Sequence, residues 1–351
     1  MTAEAPVQAV IVPGLCVRGA REDVTACLAD VGGRPFLDYL VEDCVRFGFL
    51  DLLLLASDRP EPFEGYASKT RTRLRRGVTL QVTPRRLEES IGALQSSFLL
   101  LDGDRHFDFN WLDLMLGVGA GGVIAARERA AAGNAGVYLV ERTALGALRG
   151  EELDTIATSR RYDGAMAELR SGRGLAQLPE RRRRPAVFFD RDGTINVDVG
   201  YAHRAEQLEL VAGAISAVKR VNDAGYYAFL VTNQSGVARG YYTEDDVHAF
   251  HAHLQRRLRA KGAHFDDIRY CPYHPDGSVP AYARRSDWRK PEPGMINDLM
   301  QHWPVVASAS LAIGDQDSDV AAARAAGLQA LRYRGDDLDA LLSRHLTAPR
   351  R

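Results

Sequence analysis

The sequence predicts an α/β protein with two domains, each a mostly parallel sheet flanked by helices. The 351 residues are about twice the length of a typical domain, and 46% of them are hydrophobic, which is enough for two cores. In both halves short apolar runs alternate with helical patterns, and several runs end in acidic or hydroxyl-bearing loops. A basic segment around residue 182 separates the two halves.

Three short apolar segments in the first half indicate strands. They are residues 8 to 12, 51 to 56 and 97 to 101, and the last runs directly into Asp102-Gly103-Asp104. Between the first two, residues 33 to 40 open a helical pattern. This alternation of strands and helices is typical of a mostly parallel sheet.

The junction is the basic segment 179 to 185, which contains the run Arg181 to Arg184. We interpret it as a solvated linker between a first domain of residues 1 to 178 and a second of residues 186 to 351. The run lacks interleaved aromatic residues, and the chain carries a formal net charge of only −1. Nucleic acid is therefore a disfavoured partner.

The composition also indicates where in the cell the protein is located. No apolar stretch approaches the length that spans a membrane, and the first six residues lack the pattern of a signal peptide. The four cysteines are scattered, as is usual in a reducing environment. We therefore expect a cytoplasmic protein that acts on a small molecule, with no membrane and no nucleic acid as partner.

Two carboxylates at the end of the run 186 to 189 carry the first sign of chemistry. Asp190 and Asp192 lie at the carboxyl edge of this predicted buried strand, where open α/β sheets bind their ligands. Gly193 allows the backbone to approach an anion or a metal closely. One carboxylate can be a nucleophile and the other an acid and base. A calcium loop or an ordinary turn is the alternative.

Three further segments follow in an order that suits phosphoryl transfer. A predicted strand of residues 226 to 231 ends in Thr232-Asn233, which can contact phosphate oxygens. Arg289-Lys290 supplies two cations. A predicted strand of residues 310 to 313 ends in Gly314-Asp315, and acidic groups there are natural ligands for Mg²⁺. Each segment alone also fits a turn, a solvated basic pair or an acidic helix start.

Residues 186 to about 335 resemble the haloacid dehalogenase (HAD) superfamily. Within it they resemble the group of D-glycero-D-manno-heptose-1,7-bisphosphate 7-phosphatases and histidinol-phosphate phosphatases. The matching segments are FFDRDGTINVDVGYAHRAEQLEL, VTNQSGVARGYYTE, YCPYHPDGSVP and WRKPEPGM. The resemblance implies a HAD-like Rossmannoid domain with a minimal cap.

The resemblance also implies a role for each matching residue. Asp190 would form the aspartyl-phosphate, and Asp192 would be the acid and base. Mg²⁺ would be bound by Asp190, by the backbone carbonyl of Asp192 and by Asp315. The residues implied to contact phosphate or substrate are Thr232, Asn233, Arg239, Arg289 and Lys290. Positioning and charge stabilisation dominate phosphoryl transfer of this kind.

One departure from these relatives concerns zinc. Their loop Cys-Pro-x-His closes with Cys-x-Cys and holds a structural zinc, whereas this chain keeps Cys271 and His274 but has Ser286 and Trp288 at the closing positions. Two ligands do not make a structural zinc site, so we expect no zinc. Tyr273 and Trp288 could pack as an apolar cluster instead.

Two other features of the second half are not assigned a catalytic role. Gln316 stands where relatives often have a basic residue, which suggests a weaker charge balance around Asp315. His248, His251 and His253 lie on a predicted helix after Thr243, and we interpret them as surface residues rather than metal ligands.

The first half resembles sugar-phosphate nucleotidyltransferases through the segments GGRPFLDYL, LLLDGDRHFD and GNAGVYLVE. The residues that the resemblance implies for binding nucleotide phosphates are incomplete. The glycine-rich phosphate loop reads VPGLCVRG, and no basic residue occurs in Thr25 to Leu28. Asp104 persists where the relatives bind metal. We expect a nucleotidyltransferase-like Rossmannoid domain without catalysis, which serves in dimerisation or in docking a pathway enzyme. A surviving sugar-binding pocket is the alternative.

The sequence thus predicts a Mg²⁺-dependent phosphatase that acts through an aspartyl-phosphate. The favoured reaction removes the 7-phosphate of D-glycero-D-manno-heptose 1,7-bisphosphate. The alternatives are histidinol phosphate or another sugar phosphate as substrate, or a catalytically silent scaffold in a heptose-nucleotide pathway.

Overall fold

The computed structural model describes residues 7–15, 24–56, 59–74, 77–117, 122–129, 134–147 and 153–346. The chain divides into two compact units between Arg181 and Arg182. Among the described residues, no helix combines the length and the apolar character needed to cross a membrane.

The first unit contains nine described strands and five described α-helices. The strands are β1 Gln8–Val12, β2 Asp51–Leu55, β3 Thr79–Thr83, β4 Ser97–Asp102, β5 Arg105–Asp108, β6 Val123–Glu128, β7 Asn134–Glu141, β8 Thr158–Tyr162 and β9 Ala165–Glu168. The helices are α1 Phe36–Arg46, α2 Pro60–Arg71, α3 Leu112–Met115, α4 Leu153–Ile156 and α5 Leu178–Arg181. Short 3₁₀ segments are Val24–Leu28, Glu88–Ala93 and Arg142–Ala147.

Seven of these strands form one sheet in the order β3-β2-β1-β4-β7-β6-β8. Only β7 runs antiparallel to its neighbours β4 and β6, and the other pairs in this sheet are parallel. The mostly parallel sheet is therefore confirmed, and β1, β2 and β4 match the three predicted strands. A separate antiparallel pair joins β5 to β9.

The inner strands β1, β2 and β4 are mostly apolar without alternation because both of their faces are covered. In β2, Leu52 and Leu54 belong to one buried cluster, whereas Leu53 and Leu55 belong to another. The first cluster also holds the buried face of α1. A strand of consecutive leucines is the expected sequence for such a position.

The second unit contains five described strands and five described α-helices. The strands are β10 Ala186–Phe189, β11 Tyr227–Asn233, β12 Asp267–Cys271, β13 Leu311–Gly314 and β14 Gln329–Arg332. The helices are α6 Ala214–Asp223, α7 Glu244–Arg259, α8 Gly294–His302, α9 Asp317–Ala325 and α10 Leu338–Ser343. Two 3₁₀ segments are Ala205–Gln207 and Ala307–Ala309.

All neighbouring strands of the second unit are parallel, in the order β12-β11-β10-β13-β14. The central strand β10 is buried on both faces, with Phe188 and Phe189 in opposite clusters. The carboxyl ends of β11, β10 and β13 therefore lie side by side on one edge of the sheet.

The basic junction is not wholly solvated. Residues Leu178–Arg181 form α5, and Arg184 is buried. The Arg184 amide donates to the Pro304 carbonyl at 3.1 Å, and its carbonyl accepts from the Val306 amide at 2.8 Å. The expectation of a solvated run is therefore wrong for Arg184, because its backbone joins the edge of the second unit.

Candidate active site

The predicted catalytic residues meet at the carboxyl edge of the second sheet. Asp190 follows β10, Thr232 and Asn233 end β11, and Asp315 follows β13. The Asp190 amide donates to the Ile313 carbonyl at 2.9 Å, so the chain leaving β10 stays in contact with β13. The parallel register of the three strands brings together residues that are far apart in sequence.

A buried lysine joins two carboxylates at the centre of the site. The Lys290 ammonium lies 2.5 Å from Asp190 Oδ1 and 2.7 Å from Asp319 Oδ1. It also donates to the Val231 carbonyl at 2.9 Å. All three charged side chains are buried. The three contacts fix the ammonium beside one oxygen of Asp190.

The environment changes the proton affinities of this pair. Burial raises the pKa of Asp190 to about 7, although the Lys290 charge acts in the opposite direction. Burial tends to lower the pKa of Lys290, but Asp190 and Asp319 together raise it. Lys290 is therefore a stable cation beside the nucleophile, and further positive charge bound there would lower the pKa of Asp190.

Asp190, Asp315 and Asp319 form a group with the donor atoms of a hard cation site. One oxygen from each lies within 4.8 Å of the others. Asp315 Oδ1 is buried and accepts no hydrogen bond from the described residues. Burial raises the pKa of Asp315. Crowded carboxylates with an unused oxygen fit a divalent cation with oxygen ligands such as Mg²⁺.

Gly193 is required beside this group. Its φ is +83°, and a Cβ there would lie 2.5 Å from Asp315 Oδ2. Any other residue would displace the Asp315 carboxylate. Gly193 thus lies close against Asp315, and its approach to a bound anion or metal stays a prediction.

Asp192 lies on the other side of the loop, with its carboxylate held by side-chain amides. Asn196 Nδ2 donates to Asp192 Oδ1 at 3.0 Å, and Gln234 Nε2 donates to Asp192 Oδ2 at 3.0 Å. Gln234 is fixed in turn, because its Oε1 accepts from the Tyr242 hydroxyl at 2.8 Å. The side chain of Asp192 is 22% exposed, so it can still reach a bound substrate.

Thr232 and Asn233 sit beside the nucleophile but use their side chains differently. Thr232 is buried, and its hydroxyl accepts from Gln234 Nε2 at 2.9 Å. The Asn233 amide donates to the Lys290 carbonyl and accepts from the Lys290 amide, both at 3.1 Å. The Asn233 side chain therefore fixes the backbone that carries Lys290.

Arg239 and Arg289 lie near each other and near His274, so positive charge is concentrated there. Arg239 Nη2 lies 3.5 Å from His274 Nε2. Burial lowers the pKa of Arg289, and the charge of Arg239 lowers it further. Arg239 Nε and Arg289 Nη1 are buried donors that have no hydrogen-bond partner among the described residues. Two guanidinium groups with unused donors suit an anionic ligand.

The loop that begins at Cys271 is packed by side chains. Cys271 is buried, and Tyr273 and Trp288 pack against the core that contains it. The Arg284 guanidinium lies over the Tyr273 ring at 4.0 Å. Within the described ranges, only Asp190, Asp315 and Asp319 form a cluster of potential metal ligands. The predicted packing of Tyr273 and Trp288 is confirmed.

Gln316 hydrogen-bonds to two carboxylates of the site. Its Nε2 donates to Asp315 Oδ2 at 2.5 Å. Its backbone amide donates to Asp319 Oδ2 at 2.9 Å, as part of the capping box at the start of α9. Gln316 thus orients two carboxylates of the site without adding charge.

Sequence reasoning missed three residues of the site. Asp319 was assigned no role, yet it contacts Lys290. Arg191 was treated only as part of a motif, yet it contacts Asp192. The interpretation of His251 as a surface residue is wrong, because it is buried against Arg191. The helical period that places Val247 and Leu254 in the core also places His251 there.

The candidate metal residue of the first unit is partnered by arginine. Asp104 is buried, and its Oδ2 lies 3.3 Å from Arg170 Nη2. Residues Val24–Leu28, where a lysine is missing, form a 3₁₀ segment. Half of the predicted phosphate loop, residues 16–19, lies outside the described residues.

Comparison with known proteins places the second unit. The family model described as HAD-hydrolase-like matches residues 287–344. The chain is 48% identical over 164 residues to the D-glycero-beta-D-manno-heptose-1,7-bisphosphate 7-phosphatase of Rhodopseudomonas palustris. That match covers 47% of this chain and 91% of the relative.

Solved structures similar to each half include a phosphatase and a nucleotidyltransferase. The D,D-heptose 1,7-bisphosphate phosphatase of B. bronchiseptica, complexed with magnesium and phosphate, is 28% identical with a TM-score of 0.41 and covers 46% of this chain and 97% of that structure. A putative glucose-1-phosphate thymidylyltransferase of Bacillus anthracis is 11% identical with a TM-score of 0.37. It covers 49% of this chain and 95% of that structure.

The relative from Rhodopseudomonas palustris is matched over nearly its whole length at high identity. The chain therefore belongs to the HAD-like phosphatases, a family of phosphomonoester hydrolases, through its second unit.

Proposed function

We propose that the second unit is a Mg²⁺-dependent phosphatase that removes the 7-phosphate of D-glycero-D-manno-heptose 1,7-bisphosphate. The observation that carries this proposal is the buried Asp190 carboxylate, held by Lys290 at the same sheet edge as Asp192. The substrate is the one in the name of the Rhodopseudomonas palustris relative.

In this mechanism Asp190 attacks phosphorus and Asp192 protonates the departing sugar oxygen. Asp192 then takes a proton from the water that hydrolyses the aspartyl-phosphate. Lys290 offsets the negative charge on Asp190 and on the transferring group. The amide contacts from Asn196 and Gln234 support this role, because they hold Asp192 while leaving it partly exposed.

The cation would be held by Asp190, Asp315 and the backbone carbonyl of Asp192. When bound, Mg²⁺ would neutralise charge on the phosphoryl oxygens and favour the ionised form of Asp190. The unused oxygen of Asp315 supports this assignment. We propose no zinc, since Ser286 and Trp288 supply no ligands in place of the missing cysteines.

Thr232 and Asn233 would line the site of the transferring phosphoryl group, with the Asn233 side chain acting on Lys290. Arg239 and Arg289 would bind substrate charge away from the reacting phosphate. Their unused buried donors support a substrate with a second anionic group. Histidinol phosphate carries no second phosphate and is the alternative substrate.

For the first unit we propose a nucleotidyltransferase-like domain without catalysis, spanning residues 1 to 178, with dimerisation or docking of a pathway enzyme as its role. We also propose a cytoplasmic location, which the scattered cysteines support. A scaffold without any activity is the second candidate, and it rests on the loss of the zinc ligands.

Phosphate release by the full-length protein with Mg²⁺ tests the proposal. Heptose 1,7-bisphosphate, histidinol phosphate and glucose 6-phosphate are offered in parallel. We expect release from the heptose substrate, and its loss in Asp190→Asn by at least about 10³-fold, because no other group can form the covalent intermediate.

Asp223→Asn is the matched control, since Asp223 is an exposed residue at the end of α6 and pairs with Lys219 at 2.8 Å. Preference for histidinol phosphate would change the assigned substrate but leave the aspartyl-phosphate mechanism unchanged. Inactivity of the folded protein on all three compounds would favour the scaffold.

A further inference from the structure

Arg191, between the two catalytic aspartates, is a fully buried cation in the second unit. Its exposed fraction is 0%. Its Nε donates to Asp192 Oδ1 at 3.1 Å, and its Nη2 donates to Asp192 Oδ2 at 2.8 Å. This is a two-point contact of a guanidinium with a carboxylate, which fixes orientation as well as distance.

The far side of the guanidinium is fixed by α7. Arg191 Nη1 lies 3.3 Å from His251 Nε2, and the Phe250 ring lies under the guanidinium carbon at 4.5 Å. Burial, together with the Arg191 charge, holds the pKa of His251 well below its usual range. His251 is therefore neutral, and its Nε2 accepts the hydrogen bond from Arg191.

A third contact ties the same group to the loop after β10. Arg191 Nη2 donates to the Ala202 carbonyl at 2.8 Å. Each nitrogen of the guanidinium thus has a hydrogen-bond partner, and Phe250 packs on one of its faces. A long side chain is normally mobile, but this one is held by a carboxylate, an imidazole, a ring and a carbonyl.

We propose that Arg191, itself held by His251, is a positioning residue that keeps the Asp192 carboxylate in place for both of its proton transfers. The inference rests on the proposed function. In the first transfer, the proton of Asp192 passes to the sugar oxygen while the phosphorus–oxygen bond to the sugar breaks and the bond to Asp190 forms. In the second, a water proton passes to Asp192 while the water oxygen bonds to phosphorus and the bond to Asp190 breaks. Arg191 and His251 neither gain nor lose a proton.

The choice of leaving group separates this role from a merely structural one. A sugar alkoxide leaves poorly unless it is protonated, whereas p-nitrophenolate leaves without a proton. Misplacement of Asp192 should therefore slow the first step for a sugar phosphate but not for p-nitrophenyl phosphate. The second step is the same for both substrates, so the aspartyl-phosphate should accumulate when p-nitrophenyl phosphate is used.

The test compares Arg191→Met, Arg191→Lys, His251→Leu and His251→Gln in the full-length protein with Mg²⁺. We expect Arg191→Met to lower kcat on heptose 1,7-bisphosphate by about 10²- to 10³-fold, the range of general acid–base catalysis. With p-nitrophenyl phosphate, the same variant should release a rapid burst of nitrophenolate, followed by slow turnover. The amount released in the burst should equal the amount of active protein.

Conservative substitutions should rescue part of the effect. Arg191→Lys keeps a cation, and His251→Gln keeps an acceptor, so each should retain more activity than Arg191→Met or His251→Leu. His253→Gln is the matched control on the same helix, because His253 is only half-buried and lies on another face. It should behave as wild type.

Two results would overturn the inference while leaving the proposed function intact. One is a folded Arg191→Met variant with wild-type kcat on the heptose substrate. The other is an equal fall on both substrates without a burst, which is the result of a simple loss of folded protein. Inactivity of the wild type on every ester, or activity of Asp190→Asn, would instead contradict the proposed function, and this inference with it.

Discussion

At the scale of single residues, the site is defined by an imbalance of charge. Asp190, Asp315 and Asp319 place three carboxylates within reach of one another, and Lys290 contacts two of them. Buried carboxylates need compensation, and one lysine supplies only a single positive charge. A divalent cation would restore the balance, so the charges of the site support the proposed metal independently of resemblance.

The role of Asp319 can be tested separately from that of Asp190. Asp319→Asn removes one of the two carboxylate charges that contact Lys290. It also removes one of the three carboxylates that could bind the cation. We expect the Mg²⁺ concentration for half-maximal activity to rise by about 10- to 100-fold, the usual effect of a residue that supports a metal site. Activity measured over a Mg²⁺ titration checks this.

Asp317→Asn is the control for that substitution. Asp317 lies two residues earlier, is exposed, and pairs with Arg332 at 2.7 Å. Exposed ion pairs contribute little, so its Mg²⁺ requirement should match the wild type. Equal requirements for Asp319→Asn and wild type would remove Asp319 from the metal site.

Sequence reasoning predicted the residues whose position depends on local order, and it missed those whose position depends on packing. Asp190 and Asp315 could be placed because each follows an apolar strand. Asp319 and Arg191 could not, because their partners Lys290 and His251 come from distant segments. Asn233 shows the same limit, since its side chain turns out to fix the Lys290 backbone.

At the scale of elements, α7 carries both an amphipathic face and a functional contact. Its start is fixed by Thr243, whose side chain accepts from the Asp246 amide in a capping box. The buried face contains Val247, Phe250 and Leu254, with His251 among them. The predicted strands of the second unit agree with β10, β11 and β13 to within two residues, because continuous apolar runs mark buried parallel strands.

The buried histidine of α7 makes stability depend on pH. The pKa of His251 is well below its usual range in the folded protein, while an unfolded histidine titrates near about 6.5. As pH falls through that value, the unfolded chain binds a proton that the folded chain does not, so stability is lost on acidification. His251→Gln removes this contribution.

Calorimetric melting at pH 7.5 and pH 5.5 measures the effect. The wild type should lose more melting temperature than His251→Gln over this interval, and His253→Gln should follow the wild type closely. An identical loss in wild type and His251→Gln would mean that His251 takes up its proton in the folded state.

At the scale of the whole molecule, the carboxylates of the two units have different charged partners. In the second unit a single lysine contacts Asp190 and Asp319, and Asp315 lies in the same acidic group. In the first unit arginines pair with the carboxylates. Arg170 lies 3.3 Å from Asp104, and Arg173 lies 2.7 Å from Glu128. Asp104 thus already has a guanidinium partner at Oδ2, although its Oδ1 accepts no hydrogen bond from the described residues.

The last prediction follows from this difference between the units. Asp104→Asn should leave kcat and KM for phosphate release unchanged, because Asp104 is not part of the second sheet edge where Asp190 lies. With Mg²⁺, heptose 1-phosphate and each nucleoside triphosphate in turn, neither wild type nor Asp104→Asn should release pyrophosphate. Pyrophosphate release by the wild type that disappears in Asp104→Asn would show that Arg170 yields to a metal, and the first unit would then be a second enzyme. Loss of phosphatase activity in Asp104→Asn, with pyrophosphate release still absent, would show instead that the first unit supports the second without chemistry of its own.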